Sequence, residues 1–134
     1  MENTPNQLYK NIMQHLEFAE VIKRLSNDMH AHAENGSAEK IDSIAENRQR
    51  VVNLLQIVQQ KIEDKIPELK DQEEIEVIKA WHGNFNDILR EIDRIDRALL
   101  HALEEQKTQT KREIGNVYSN HQKISAYNHS EKRR

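Results

Sequence analysis

The sequence predicts an all-α fold, an antiparallel three-helix bundle or coiled coil with a long C-terminal helix, and three observations carry that expectation. Apolar residues recur at steps of three and four through most of the chain, the spacing of a single helix face. Of the 134 residues, 32% are charged and 4% aromatic, and three Gly and two Pro supply too few turn formers for an all-β fold. The periodicity is interrupted at Glu34-Asn35-Gly36-Ser37 and from Ile66-Pro67 to Glu74, which leaves three helical segments.

The first helix has a start signal in Thr4, a capping residue, followed by Pro5 at the first helical position, where a missing N–H costs nothing. Leu8, Ile12, Leu16, Ala19, Ile22, Leu25 and Met29 give its buried face, up to Ala33. Gly36 suits a left-handed C-terminal cap, and Ser37 with Glu39 in the following turn opens the second helix. That helix repeats strictly: Ile41, Ile44, Arg48, Val51, Leu55, Val58 and Ile62 alternate steps of three and four, the spacing of a coiled coil. Pro67 ends it, because proline disfavours helical geometry in the residue before it and cannot donate to the preceding turn.

The third segment is the longest. Ile78, Trp81, Phe85, Ile88, Ile92, Ile95, Leu99, Ala102 and Leu103 form one stripe, and the pattern resumes at Ile114, Val117 and Ile124 after a polar interval with a shift of phase. A helix of some 45–50 residues spans about 70 Å, against about 42 Å for each of the others, so about 25 Å of it outruns its partners. A break at Gly83-Asn84 would make the bundle four-helical, and Gly115 is a second weak point, because glycine costs about 1 kcal/mol relative to alanine in a helix. Beyond about Tyr118 the chain is polar enough to be disordered when unbound.

Charge divides the chain in the same place. Residues 111–134 carry six Lys/Arg against two Glu, whereas residues 1–110 carry 14 Lys/Arg against 21 Asp/Glu. The expected organisation is therefore a helical hairpin with a long third helix over 1–110, then a C-terminal helix extension and basic flexible tail over 111–134. The net charge of −3 argues against a general nucleic-acid binder. The polar start of the chain lacks the basic-then-apolar order of a signal peptide, and no apolar run reaches membrane-spanning length, so a cytoplasmic address is expected.

Chemistry-bearing patterns are sparse. There is no cysteine, hence no disulfide framework, thiolate or Cys-ligated metal. Seven histidines invite a metal, but no Glu lies three residues before any of them, and His-Glu-x-x-His is absent as well. They are expected at exposed or boundary positions, with no metal and no cofactor. Asp93-Arg94-Ile95-Asp96-Arg97 reads as a solvated face with isoleucines inward. A bundle poor in loops offers no pocket to perturb a carboxylate, so no enzyme activity is expected. Arg48 sits on the buried stripe of the second helix, where its stem can lie on apolar neighbours and its head can pair with a carboxylate across the interface, fixing register. Trp81 and Phe85, one turn apart, read as a plug at one end of the core.

The C-terminal set differs, because a core role for it needs a partner helix. Ile114, Val117, Tyr118, His121 and Ile124 keep the three/four spacing, with Tyr127 beyond. Another protein, a second copy in a homodimer, or an extended first or second helix would each cover them. These six are the candidate partner-binding residues.

The order of features resembles the flagellar type III export chaperones of the FliT/FlgN type. The residues that carry the resemblance are the joint Asn35-Gly36-Ser37, the run Ile41 to Leu55 with Arg48 in it, the stretch Ile92-x-x-Ile95-Asp96-x-x-Leu99-x-x-x-Leu103-Glu104, and the closing Lys123-Ile124-Ser125-Ala126-Tyr127-Asn128. The resemblance implies a cytoplasmic chaperone whose final helix binds the helical terminus of a filament-cap or hook–filament junction protein and delivers it to the export apparatus. An amphipathic helix with a matching stripe would keep such a substrate from self-association. The alternative is a structural coiled-coil protein that self-associates through the same stripe without a chaperone role.

Overall fold

A computed structural model describes the backbone of residues 5–132 and the side chains of residues 7–115. The chain is all-α, with three helices running up, down and up: α1 (Pro5–Glu34), α2 (Ala38–Lys65) and α3 (Gln72–Lys132), and one 3₁₀ turn at Ile66–Glu68 between the last two. α1 is the middle element, packed along its length against both α2 and α3.

Each joint follows from local chemistry. Gly36 adopts φ 73°; its N–H donates to the Ala33 carbonyl at 3.3 Å and the Ser37 N–H to the His32 carbonyl at 3.0 Å. This is the paired bonding of a Schellman motif, and it satisfies carbonyls that the end of α1 would otherwise leave open. Ser37 precedes α2 but makes no side-chain capping bond. At the second joint Asp71 accepts the Glu73 N–H on its side chain at 3.0 Å and the Ile75 N–H on its carbonyl at 3.1 Å, which makes it the cap of α3. The expected cap Thr4 lies outside the described residues.

The seam of α1 is a strict heptad track of Leu8, Ile12, His15, Ala19, Ile22, Ser26, Met29 and Ala33, all of them buried. It differs from the sequence reading at two positions: Leu16 and Leu25 are half-buried flanks, and the polar His15 and Ser26 take the inner places. Three apolar layers result. Leu8, Ile12, Val58, Ile62 and Trp81 form the first, Ala19, Ile22, Leu55 and Ile88 the second, and Met29, Ala33 and Leu99 the third. His15 lies between the first two layers and Ser26 between the last two.

α3 is longer than the spacing suggested. It runs 61 residues without a break, about 90 Å, straight through Gly83, Gly115 and the polar stretch beyond Tyr118. Among the described residues no fourth helix forms. Two isolated glycines cost about 1 kcal/mol each, less than a break in a packed helix, and no proline follows Pro67 to stop the run.

Candidate functional site

α3 leaves the bundle at Gln106. Its side-chain amide donates to the carbonyl of Ala33 at the end of α1, and Ala102 and Leu103 pack just before it against the third core layer. Every described side chain from Lys107 to Gly115 is then exposed. From Lys107 to Lys132 the helix continues for 26 residues, about 40 Å past the last contact with α1. The overhang is larger than the 25 Å read from the spacing, because the helix is itself longer.

Of the six candidate partner-binding residues, Ile114 is described: it stands on this projecting arm with 64% of its surface exposed. The side chains of Val117, Tyr118, His121, Ile124 and Tyr127 lie outside the described residues, although the helix backbone passes through all five positions. Upstream on the same helix Leu100 is 61% and Leu89 43% exposed. Leu89 borders a groove between α2 and α3, floored by Ala19 and Ile22 of α1 and closed at one end by Arg48 and Asp96.

The body beside the arm is held by two polar pins. Arg48 Nη1 donates to Asp96 Oδ1 at 2.7 Å and to Ser26 Oγ at 2.9 Å, joining all three helices, while Ser26 donates to the Ile22 carbonyl at 2.8 Å. The second pin centres on His15, wholly buried. The Trp81 indole N–H donates to its Nδ1 at 3.0 Å. Because an indole can only donate, the neutral ring carries its proton on Nε2 and gives it to Gln59 Oε1 at 3.1 Å. Phe85 meets the imidazole edge-on, with centroids 4.4 Å apart. Burial pushes the His15 pKa down, and the bond to Gln59 opposes that only in part.

His15 corrects the expectation that the histidines are exposed or at a boundary. Its partners are 44 and 66 residues away, so the pattern of any one segment could not name them. The available signal was its position between Ile12 and Ala19 at heptad spacing. Trp81 is buried at the α1 N-terminal end of the bundle, and Phe85 is half-buried beside it.

On the outside, Lys23 of α1 and Glu91 of α3 form an ion pair at 2.6 Å. That bond holds the Glu91 carboxyl below and the Lys23 ammonium above their ordinary values. Among the described residues no three His, Cys, Asp or Glu side chains converge to hold a metal ion, and no helix is long and apolar enough to cross a membrane. Buried polar side-chain atoms among the described residues all have partners.

The fold thus defines a class: an all-α bundle with one helix carried far past its partners. Compared with known protein families, curated proteins and solved structures, the chain matches none.

Proposed function

We propose that the chain is a non-enzymatic, cytoplasmic flagellar export chaperone, whose α3 arm binds the helical terminus of a filament-cap or hook–filament junction protein and presents it to the type III export apparatus. The observation that supports this reading is the arm itself: 26 residues of helix beyond Gln106, with Ile114 exposed on it and no intrachain helix beside the described part. An exposed amphipathic helix gives a cargo helix an apolar stripe to lie on, the arrangement of helix-in-groove recognition reversed in role. Such a stripe exists to be covered. A modest interface also suits a carrier that must release its load.

The test is removal of residues 109–134. The bundle should melt as the intact chain does, since its three core layers end at Gln106, while co-purification of a co-expressed cargo terminal helix should be lost. Retention of the cargo by the shortened chain would refute the arm as its site; unfolding of the shortened chain would make the arm part of the core.

A further inference from the structure

The ring of His15 can hold Trp81 or take a proton, but it cannot do both. An indole only donates, so Nδ1 keeps its lone pair for the Trp81 N–H at 3.0 Å, and Nε2 keeps the ring's one proton for Gln59 Oε1 at 3.1 Å. A second proton has only Nδ1 to go to. There it would set N–H against N–H, and it would place a charge on a ring with no exposed surface. Among the described residues around that ring, α3 brings Trp81 and Phe85, while the α1 neighbours Asn11, Ile12 and Ala19 are buried and uncharged. α2 brings Gln59 and the charge that acts on the ring, the Glu63 carboxylate, which is exposed and accepts from Gln59 Nε2 at 3.4 Å. The other titratable ring near Trp81 is His82, with centroids 6.5 Å apart; it is exposed and bonded to Asn86.

The place of this pin decides what a proton opens. On its outer side lies one apolar layer, Leu8, Ile12, Val58, Ile62 and Trp81. On its inner side stand the two other layers and the Arg48 pin to Ser26 and Asp96, which contains no histidine. A cooperative unit at the end of a bundle opens at lower cost than the whole. We propose that proton uptake by His15 and docking of Trp81 exclude each other, so that mild acid unlatches the first layer and leaves the other two layers and the arm standing. Once the indole has left Nδ1, the charged ring turns outward to Glu63 as its counter-ion. The latch is shut while the ring is neutral, which holds above about pH 6.5. Because burial pushes the His15 pKa down, the latch opens as pH falls through that lowered value. This end of the bundle is the one opposite the arm, and the latch does not rest on the chaperone reading.

An acid titration of the full chain at room temperature tests it. Trp81 is the single tryptophan, so acrylamide quenching of its emission reads the latch alone. Quenching should rise several-fold and reversibly between pH 7.5 and 5, while far-UV circular dichroism keeps most of the helical signal. Quencher access is the readout, because an imidazolium dims a neighbouring indole without any movement. His82→Gln should keep the rise. His15→Gln should lose it, since an amide oxygen still accepts the indole N–H and does not titrate. The proposal is overturned by quenching that rises only as the helical signal is lost, by a rise that survives in His15→Gln, or by one that vanishes in His82→Gln. Proton NMR of the unsubstituted chain decides independently of whether His15→Gln folds: the Trp81 indole N–H should lose its protection from exchange with the same midpoint as the His15 ring titrates, and separate midpoints overturn the coupling.

Discussion

Arg48 of α2 and Asp96 of α3 meet at 2.7 Å across the one pair of helices that approach mainly through their side chains. The guanidinium spans the gap and reaches Ser26 of α1 with the same nitrogen. Truncation by Arg48→Ala should cost about 1–2 kcal/mol, the range of a charged hydrogen bond discounted for partial exposure. Ser26 keeps its bond to the Ile22 carbonyl, and Asp96 can hydrate, so neither is stranded. Arg48→Met, which keeps the apolar stem, should recover only the packing part of the loss and leave the hydrogen-bond part. Urea melts of the two variants check this, and equal losses would place the energy wholly in the guanidinium's bonds, with nothing from the stem.

The His15 pin makes stability depend on pH. Its folded pKa is pushed below the ordinary value near 6.5 by burial, so the unfolded chain binds the proton more readily and protonation favours unfolding. The contribution is complete above about pH 6.5 and is lost as pH falls through the lowered folded value. Thermal melts from pH 7.5 to 5 should show a falling Tm, and His15→Gln should flatten that slope while lowering Tm at pH 7.5. An unchanged slope in the variant would assign the pH dependence to other groups.

The three glycines should respond in opposite senses. Gly36 holds φ 73°, and an added Cβ would meet only Gln106 Nε2 at an ordinary 3.8 Å, so the cost of Gly36→Ala is backbone strain of about 1 kcal/mol. At Gly83 and Gly115 a Cβ would meet nothing within 4 Å, and alanine should add up to about 1 kcal/mol of helix stability. Only Gly83→Ala should raise the melting temperature of the bundle; Gly115→Ala should raise helix content by circular dichroism without moving that transition.

Side chains on the same helices should differ sharply in cost. Ile62 and Met29 are essentially inaccessible, and truncation of either to alanine should cost about 2–5 kcal/mol. Leu100→Ala should stay within about 0.5 kcal/mol, because the side chain is 61% exposed. A large effect there would show that the flank is packed within the chain.

Much of the framework was legible in the sequence, because it depends on local periodicity. Gly36 announced the first joint and Pro67 the second, and the strict repeat from Ile41 to Ile62 gave the inner face of α2. The inner face of α1 was misread at two places for a physical reason: Leu16 and Leu25 are more apolar than His15 and Ser26, yet the heptad geometry turns the latter inward, and partners from other helices make their burial tolerable. The end of α3 was misjudged because glycine and polar residues were weighed as breaks, whereas helix termination needs a stop signal that the sequence lacks.

The sequence by itself determined that the chain is all-α, where its first two helices turn, and that its last helical segment is the longest, since each follows from residue spacing and backbone chemistry; that this segment is one unbroken helix running past its partners was decided by the structure. Only the tertiary structure decided that Gln106 meets the Ala33 carbonyl where the bundle ends, that Arg48 finds Asp96 and Ser26, and that His15 is buried under Trp81. Those pairings join residues 22 to 73 positions apart, and their energies exist only once the helices are packed side by side.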